Sequence, residues 1–377
     1  MNPVSLTASP RRLCIEWPDG TAAEHAALWL RDNAPRDRDP ANGQRLVDIA
    51  DLPADPVIAA ASLVADGLRV DWAGESRHDV YALDWLARQA RPLAIERPEL
   101  ATRRWLEGAE LDGHRDFGWA TFAALKGNAG TRLDWITRVL QDGIAFLSGV
   151  GSTEAGILEA MAPVGRVAET NYGLVFDVRS VAEPENLAYS DLGLGLHTDN
   201  PYREPVPGFQ ALHVLVASPD GGASLIADGF ALAEHLRETA PDAFARLTET
   251  PVPFRYQSKD ADLCAERPLI ALSCRGEVTA VHYNSRSIAP LRLPPAETEA
   301  WYGAYRAFAQ LLREPRFQLR LTLGDGELML FDNQRTLHGR TAFSSARHPR
   351  HLRGCYLTRD SVYSTAALLR RRQVTGG

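Results

Sequence analysis

Apolar residues occupy every second position at Leu13, Ile15 and Trp17, and the same alternation returns at Leu68, Val70 and Trp72. A period of two turns one face of an extended strand toward a core, so both stretches are predicted strands. Pro18-Asp19-Gly20 follows the first and Ala73-Gly74 the second, and both are turn-forming. Tyr81 to Ala90 changes period, with Leu83 and Leu86 on one side, and predicts a short helix. Between these elements Arg36 to Gly43 is charged and rich in Pro and Asp, hence a loop. Pro92 to Pro98 reads as a linker. Residues 1–95 are therefore expected to form a small β-rich domain, with a second domain over 96–377.

The second region mixes both periods. Thr131-Arg132-Leu133-Asp134 has the form of a capping box, and Leu133, Ile136 and Leu140 then share one helical face. Gly143 ends that helix, and Ile144-Ala145-Phe146-Leu147 follows as a buried strand. Further helices are predicted over Thr153–Met161, Phe230–Arg237 and Trp301–Leu312, the last with Trp301, Tyr305, Phe308 and Leu312 at helical spacing. Ser224–Asp228 and Glu327–Phe331 read as strands. Many short strands with helices on the flanks predict a mainly β fold, a double-stranded β-helix or jelly roll.

Bulk properties narrow the function. The chain has 377 residues, 45% of them hydrophobic and 24% charged, as in globular proteins. A net charge of −7 offers no basic surface for nucleic acid. No apolar run approaches the ~20 residues of a membrane span. The start, Met1-Asn2-Pro3-Val4-Ser5, lacks a signal-peptide pattern, and a cytoplasmic protein is expected. The four cysteines, Cys14, Cys264, Cys274 and Cys355, are scattered and read as reduced thiols.

The candidate chemistry lies in Gly195-Leu196-His197-Thr198-Asp199-Asn200-Pro201-Tyr202 and in Phe331-Asp332-Asn333-Gln334-Arg335-Thr336-Leu337-His338-Gly339-Arg340. On a strand, His197 and Asp199 point to the same side and can reach one metal ion. His338 would be the third ligand if the fold pairs the two stretches. Two histidines and a carboxylate on one face of an octahedral ion leave three positions open, the arrangement of non-haem Fe(II) oxygenases. A bare His-x-Asp is common on ordinary surface strands, so the pair alone decides little.

More motifs accompany it. Asn186-Leu187-Ala188-Tyr189, Pro207-Gly208-Phe209-Gln210-Ala211-Leu212-His213, Gly221-Gly222-Ala223-Ser224, Asp228-Gly229 and Arg350-His351-Leu352-Arg353-Gly354-Cys355-Tyr356 fit one template. Trp29-Leu30-Arg31-Asp32-Asn33 extends the match into the N-terminal region. Together these resemble the γ-butyrobetaine hydroxylase and trimethyllysine hydroxylase group of the taurine-dioxygenase-like Fe(II)/2-oxoglutarate oxygenases.

The resemblance implies Fe(II) on His197, Asp199 and His338, with 2-oxoglutarate and O₂ as co-substrates and ascorbate as reductant in assays. It puts Arg350 on the distal carboxylate of 2-oxoglutarate, a role that suits a planar guanidinium. Arg347 competes for that role. Leu212 and Asn186 are implied at the co-substrate pocket. Tyr172, Phe176, Tyr189 and Tyr356 match an aromatic cage for a trimethylammonium group, with Phe176 where some members carry tryptophan. Asn200 and Asn284 match residues that hold the substrate's anionic end, and Asn200 departs from the tyrosine of some members. Arg286 or Arg292 nearby would suit a phosphonate equally.

The expected reaction is hydroxylation of a trimethylammonium compound, γ-butyrobetaine to L-carnitine first, with 2-trimethylaminoethylphosphonate or trimethyllysine as alternatives. A non-catalytic betaine-binding jelly roll is the rival of another class. Several members hold zinc in the N-terminal module. Here the matching positions are Ala34, Arg36, Asp39 and His78, and only the histidine is a zinc-type ligand. No zinc is expected, with a salt bridge around Arg36 and Asp39 in its place. The likeness also implies a homodimer.

Overall fold

The computed structural model describes residues 2–90, 101–106, 116–179, 192–219, 221–343 and 350–375. The predicted linker at 92–98 lies outside them. The chain divides into two compact units, residues 1–98 and 99–377.

The first unit holds two three-stranded antiparallel sheets, β1 (Ser5–Ser9), β2 (Arg12–Glu16) and β3 (Ala22–Ala26), then β4 (Ile58–Val64), β5 (Gly67–Trp72) and β6 (His78–Tyr81). Helix α1 (Ala27–Asp32) follows β3 and α2 (Leu83–Gln89) follows β6. Leu13, Ile15, Trp17, Leu68, Val70 and Trp72 meet in one core with Tyr81 and Leu86, as their alternation requires. Tyr81 ends a strand and does not open the helix. Its ring is buried and its hydroxyl donates to the Leu30 carbonyl at 2.7 Å.

The ionic centre of this unit is Asp37, not Arg36 and Asp39. Asp37 accepts from Arg31 at 2.8 Å and from Arg77 at 2.5 Å, and Arg77 also holds Asp79 at 3.0 Å. Asp39 instead closes a turn by accepting from the Ala41 and Asn42 amides. Its short side chain is spent locally, which leaves the next acid inward to meet the arginines. His78 is exposed at the head of β6, and Ala34 is buried and carries no donor atom.

In the second unit β7 (Gly118–Thr121), α3 (Phe122–Gly127) and α4 (Ala129–Asp142) lead to β8 (Ile144–Ser148). The cap of α4 is Asn128, whose side chain accepts from the Thr131 amide at 2.9 Å, so Thr131 lies inside the helix. Asn is as good a cap as Thr and stands three residues earlier. Gly143 ends α4 in the left-handed conformation, φ 79°. The chain continues through α5 (Gly156–Met161), β9 (Val167–Ala168), β10 (Phe176–Arg179), β11 (Leu194–His197), β12 (Phe209–Val216) and β13 (Ser224–Asp228). There follow α6 (Gly229–Thr239), α7 (Pro241–Glu249), the hairpin β14 (Pro251–Gln257) and β15 (Asp262–Pro268), and the pair β16 (Ile270–Leu272) and β17 (Val278–Val281). Last come α8 (Pro295–Leu311), β18 (Leu319–Leu321), β19 (Leu328–Asp332), β20 (Thr336–Arg340), β21 (His351–Leu357) and α9 (Arg359–Thr375).

Two sheets carry the site. The larger runs β10-β21-β12-β19-β8-β7, with β9 also on β21, and the smaller runs β11-β20-β13-β18. Side-chain alternation sorts the larger sheet's residues between two cores. Ala145, Leu147, Phe209, Ala211, Leu328, Leu330, Cys355 and Leu357 pack with residues of α4, α5 and α9. Ile144, Phe146, Leu212, Val214, Met329, Phe331 and Leu352 pack with Ile226, Leu319 and Leu321 of the smaller sheet. A third core joins α6, α7 and α8 to β14, β16 and β17. This is a jelly-roll sandwich with helices outside.

Candidate active site

β11 and β20 pair antiparallel with His197 opposite His338. That register brings the two predicted stretches together. The ring centroids of the histidines are 4.3 Å apart, and the donor atoms of His197, Asp199 and His338 all lie within 4.8 Å of one another. His197 Nε2 is 3.2 Å from Asp199 Oδ1, and His338 Nε2 is 3.9 Å from Asp199 Oδ2. Neighbouring donors on an octahedral ion with bonds of about 2.1 Å stand about 3 Å apart, so the set fits such an ion with sub-ångström adjustment. The donor chemistry fits as well. The Nδ1 edge of His197 faces the Gly195 carbonyl at 2.9 Å, and a proton there leaves Nε2 as the ligand atom. His338 Nδ1 is buried without a partner among the described residues.

Asp199 is fixed through its backbone. Asn333 accepts from the Asp199 amide at 2.7 Å and donates to the Asp199 and Pro207 carbonyls at 3.0 and 3.1 Å. Asn333 is wholly buried, so these bonds are shielded from water. The Asp199 carboxylate also accepts from the Tyr356 hydroxyl at 2.8 Å. Burial alone would raise its pKa, but the His197 hydrogen bond, the charges of both histidines and the Tyr356 hydroxyl outweigh it and hold the carboxyl well below the usual range. Burial, reinforced by the charge of His197, pulls His338 down to about 3, so its imidazole is neutral and able to ligate at physiological pH.

The triad opens into a cavity of about 410 Å³. Arg350 and Leu212 line it, as does Arg340. Arg350 is buried, and burial together with the charge of Arg340 lowers it to about 10. Among the described residues no carboxylate pairs with Arg350, and a buried charge left in that state calls for an anion from outside. Gly222 makes its place. A Cβ there would stand 2.9 Å from Arg350 Cδ and Nε, at a backbone φ of +70°.

The aromatic wall is partly as expected. Tyr172, Phe176 and Tyr356 all line the cavity, with centroids 6.3 Å apart for the first pair and 5.1 Å for the second. Tyr202 and Tyr256, which sequence reasoning did not single out, stack at 5.2 Å and line it too. Tyr256 arrives on the β14–β15 hairpin, and no local pattern marks that hairpin as part of a site. Phe176 faces Gly354 across the β10–β21 pair. A Cβ at Gly354 would meet the Phe176 ring at 2.4 Å.

Asn200, Asn284 and Arg286 also line the cavity. The Asn284 amide donates to the Thr198 carbonyl at 3.0 Å, and the Asn200 amide donates to the Tyr356 hydroxyl at 3.0 Å. Each amide nitrogen has two protons, so each keeps one for a ligand. Arg292 is not among the cavity residues. Asn186, Tyr189 and Arg347 lie outside the described residues.

A jelly roll whose paired strands present two histidines and an aspartate to a cavity lined by a buried arginine with no carboxylate partner among the described residues defines an Fe(II)/2-oxoglutarate-dependent dioxygenase. The comparisons agree. The profile described as "Taurine catabolism dioxygenase TauD, TfdA family" matches residues 108–356, and "Gamma-butyrobetaine hydroxylase-like, N-terminal" matches residues 4–87. The chain belongs to the taurine catabolism dioxygenase TauD, TfdA family. It is 36% identical to a gamma-butyrobetaine dioxygenase of Pseudomonas sp. (strain AK-1), over 98% of this chain and 97% of that one. It is 27% identical to the gamma-butyrobetaine dioxygenase of Homo sapiens, over 96% and 95% of the two chains. A trimethyllysine dioxygenase of Meyerozyma guilliermondii is also 27% identical, over 94% and 92%. Among solved structures, a putative alpha-ketoglutarate-dependent taurine dioxygenase from Burkholderia xenovorans shares the fold, with a TM-score of 0.50, 16% identity and coverage of 68% and 91%.

Proposed function

We propose that this enzyme hydroxylates a small trimethylammonium compound with an anionic far end, γ-butyrobetaine first. The observation that carries the reading is the aromatic wall of Tyr172, Phe176 and Tyr356 in the same cavity as the triad. A quaternary ammonium donates no hydrogen bond, and ring faces are its natural partners, at roughly 0.5–2 kcal/mol each.

His197, Asp199 and His338 would hold iron on one side and leave the rest of its coordination sphere facing the cavity. Iron with 2-oxoglutarate and O₂ supplies the oxidation that places a hydroxyl on a C–H carbon, with succinate and CO₂ as co-products. Arg350 grips the distal carboxylate of 2-oxoglutarate through two parallel hydrogen bonds. Leu212, which lines the same cavity, would give the co-substrate an apolar neighbour. The aromatic rings seat the ammonium and so fix which carbon faces the metal. The spare protons of Asn200 and Asn284, with Arg286, receive the anionic end.

Arg286 supports a second substrate. Among the described residues no carboxylate is within salt-bridge distance of it, although the Asp199 charge reaches it, and a phosphonate, with more negative charge, gains more from a guanidinium than a carboxylate does. Trimethyllysine would bring an α-ammonium along with its carboxylate toward the same arginine, which makes it the poorer fit of the three. We place the enzyme in the cytoplasm as a homodimer, with an N-terminal domain over 1–95 and the catalytic domain over 96–377. Among the described residues no helix is long and apolar enough to cross a membrane.

The test is succinate formation with Fe(II), ascorbate, O₂ and 2-oxoglutarate, in the presence of each of the three amines in turn, with products weighed by mass spectrometry. Strong stimulation by γ-butyrobetaine and one added oxygen are expected. Arg286→Leu should raise KM for the anionic amine roughly tenfold or more and leave KM for 2-oxoglutarate unchanged. Binding of the amine with no succinate formed would favour a non-catalytic betaine-binding protein. Light scattering should give twice the chain mass.

A further inference from the structure

Asp199 is engaged by more than its two histidines. Its Oδ1 faces His197 Nε2, and its Oδ2 accepts the Tyr356 hydroxyl. Tyr356 has a single proton. A carboxylate can only accept, so that proton goes to Asp199. The Tyr356 oxygen must then accept from Asn200, which fixes the amide nitrogen of Asn200 toward it, at 3.0 Å. The amide oxygen of Asn200 in turn faces Tyr202, whose hydroxyl donates at 2.6 Å. Every donor and acceptor along Tyr202–Asn200–Tyr356–Asp199 therefore has one allowed direction. All three supporting residues are buried, though each also lines the cavity. Asn200 holds its place at φ 55°, a left-handed conformation that Asn adopts more readily than most residues.

We propose that Tyr202, Asn200 and Tyr356 are positioning residues that lock the Asp199 carboxylate in one orientation, with Oδ2 held by the Tyr356 hydroxyl and Oδ1 left toward His197, so that the carboxylate would meet a metal ion without having to reorient. The proposal rests on the metal-centre reading above. It gives Tyr356 two duties, since its ring also lines the ammonium pocket beside Phe176. The cage and the metal ligand are then joined by one hydroxyl. The hydrogen-bond partners of ligating groups commonly change metal affinity by 10- to 100-fold when removed.

The experiment is a Mn(II) titration of the full chain, followed by loss of the free-ion signal in electron paramagnetic resonance, without co-substrate or amine. Tyr356→Phe should weaken Mn(II) binding about tenfold or more, and Tyr202→Phe should weaken it by a smaller factor in the same direction. The double variant should bind no more weakly than Tyr356→Phe alone, because Tyr202 acts only through Tyr356. Both changes keep the ring, and thermal unfolding midpoints check that the fold persists. Mn(II) affinity within twofold of wild type in Tyr356→Phe, or additive losses in the double variant, would overturn the relay. Asp199→Ala separates the two levels. If it binds Mn(II) as well as wild type, the metal centre itself is misassigned. If it loses the ion while Tyr356→Phe does not, only the relay fails.

Discussion

Gly354 offers a sharp test of how the cationic pocket is built. It lies opposite Phe176 in the β10–β21 pair, and its missing side chain is where the Phe176 ring sits. In Gly354→Ala the new Cβ would fall 2.4 Å from two ring carbons and 3.1 Å from a third, against about 3.4 Å for ordinary contact. The ring must retreat by about 1 Å. The backbone at Gly354 is ordinary strand, so the change acts through the ring and not through φ. If the displaced ring no longer faces the ammonium, about 0.5–2 kcal/mol of cation–π energy is lost. That converts to a rise of about 2- to 30-fold in KM for γ-butyrobetaine. KM for 2-oxoglutarate should move much less, since the nearest atoms to the new methyl are all in the Phe176 ring, although Leu212 lies opposite Gly354 on β12. The overpacking should also lower stability by about 1–3 kcal/mol. Steady-state kinetics on both substrates, with Phe176→Leu and the double variant alongside, make the assay. With the ring gone, adding Gly354→Ala should do little more. An unchanged amine KM in Gly354→Ala, or a double variant showing the full sum of both losses, would refute the idea that this glycine makes room for the cage.

Two other outcomes follow from the electrostatics. Arg350→Leu should raise KM for 2-oxoglutarate at least tenfold while raising the unfolding temperature of the enzyme without co-substrate, because it removes a buried cation that no described carboxylate pairs; calorimetry with and without 2-oxoglutarate reads both effects. His282 is buried, with Nδ1 on the Pro268 carbonyl, and burial lowers it to about 4. The unfolded chain therefore takes up a proton near pH 6.5 that the folded chain refuses until near pH 4, so stability is present at pH 7 and falls through that window. Urea unfolding at pH 7 and pH 5 should show a difference that shrinks by roughly 2 kcal/mol in His282→Asn.

Much of the fold was legible where one face of an element meets solvent. Leu13, Ile15 and Trp17 alternate because β2 is buried on one side only. β8, β12 and β19 are covered on both sides, so their apolar residues run continuously and the sequence cannot tell which neighbour faces which core. His197, Asp199 and His338 can be singled out from residue type and strand spacing, whereas Arg350 stands out only through the family resemblance. The supports of the triad were not legible. Asn333 grips Asp199 across 134 positions, and nothing local distinguishes it from an ordinary turn asparagine. Tyr256 joins the pocket wall only because the β14–β15 hairpin brings its ring against Tyr202 and Tyr172, which are distant in sequence. The helix over 129–142 was legible in its buried face but not in its start, where Asn128 and Thr131 offer competing caps.

The corner between β19 and β20 has a consequence for how much the rest of the chain can vary. Three residues, Asn333 to Arg335, carry the chain from one sheet to the other, and all three are pinned, Gln334 by the Val206 carbonyl and Arg359. Asn333 ties Asp199 directly, and buried Arg335 binds Asp228 at 2.7 Å and the Gln141 and Arg103 carbonyls. The distance from Asp199 to His338 is thereby set across a few local bonds and not along the long path of chain between them. Lengthening a surface turn within that path, such as Ser258–Ala261 or Ser273–Glu277, adds only a small closure entropy and moves no donor atom. Sequence drift and engineered insertions should therefore be absorbed there with the metal geometry intact, while a single change at Asn333 or Arg335 would not be.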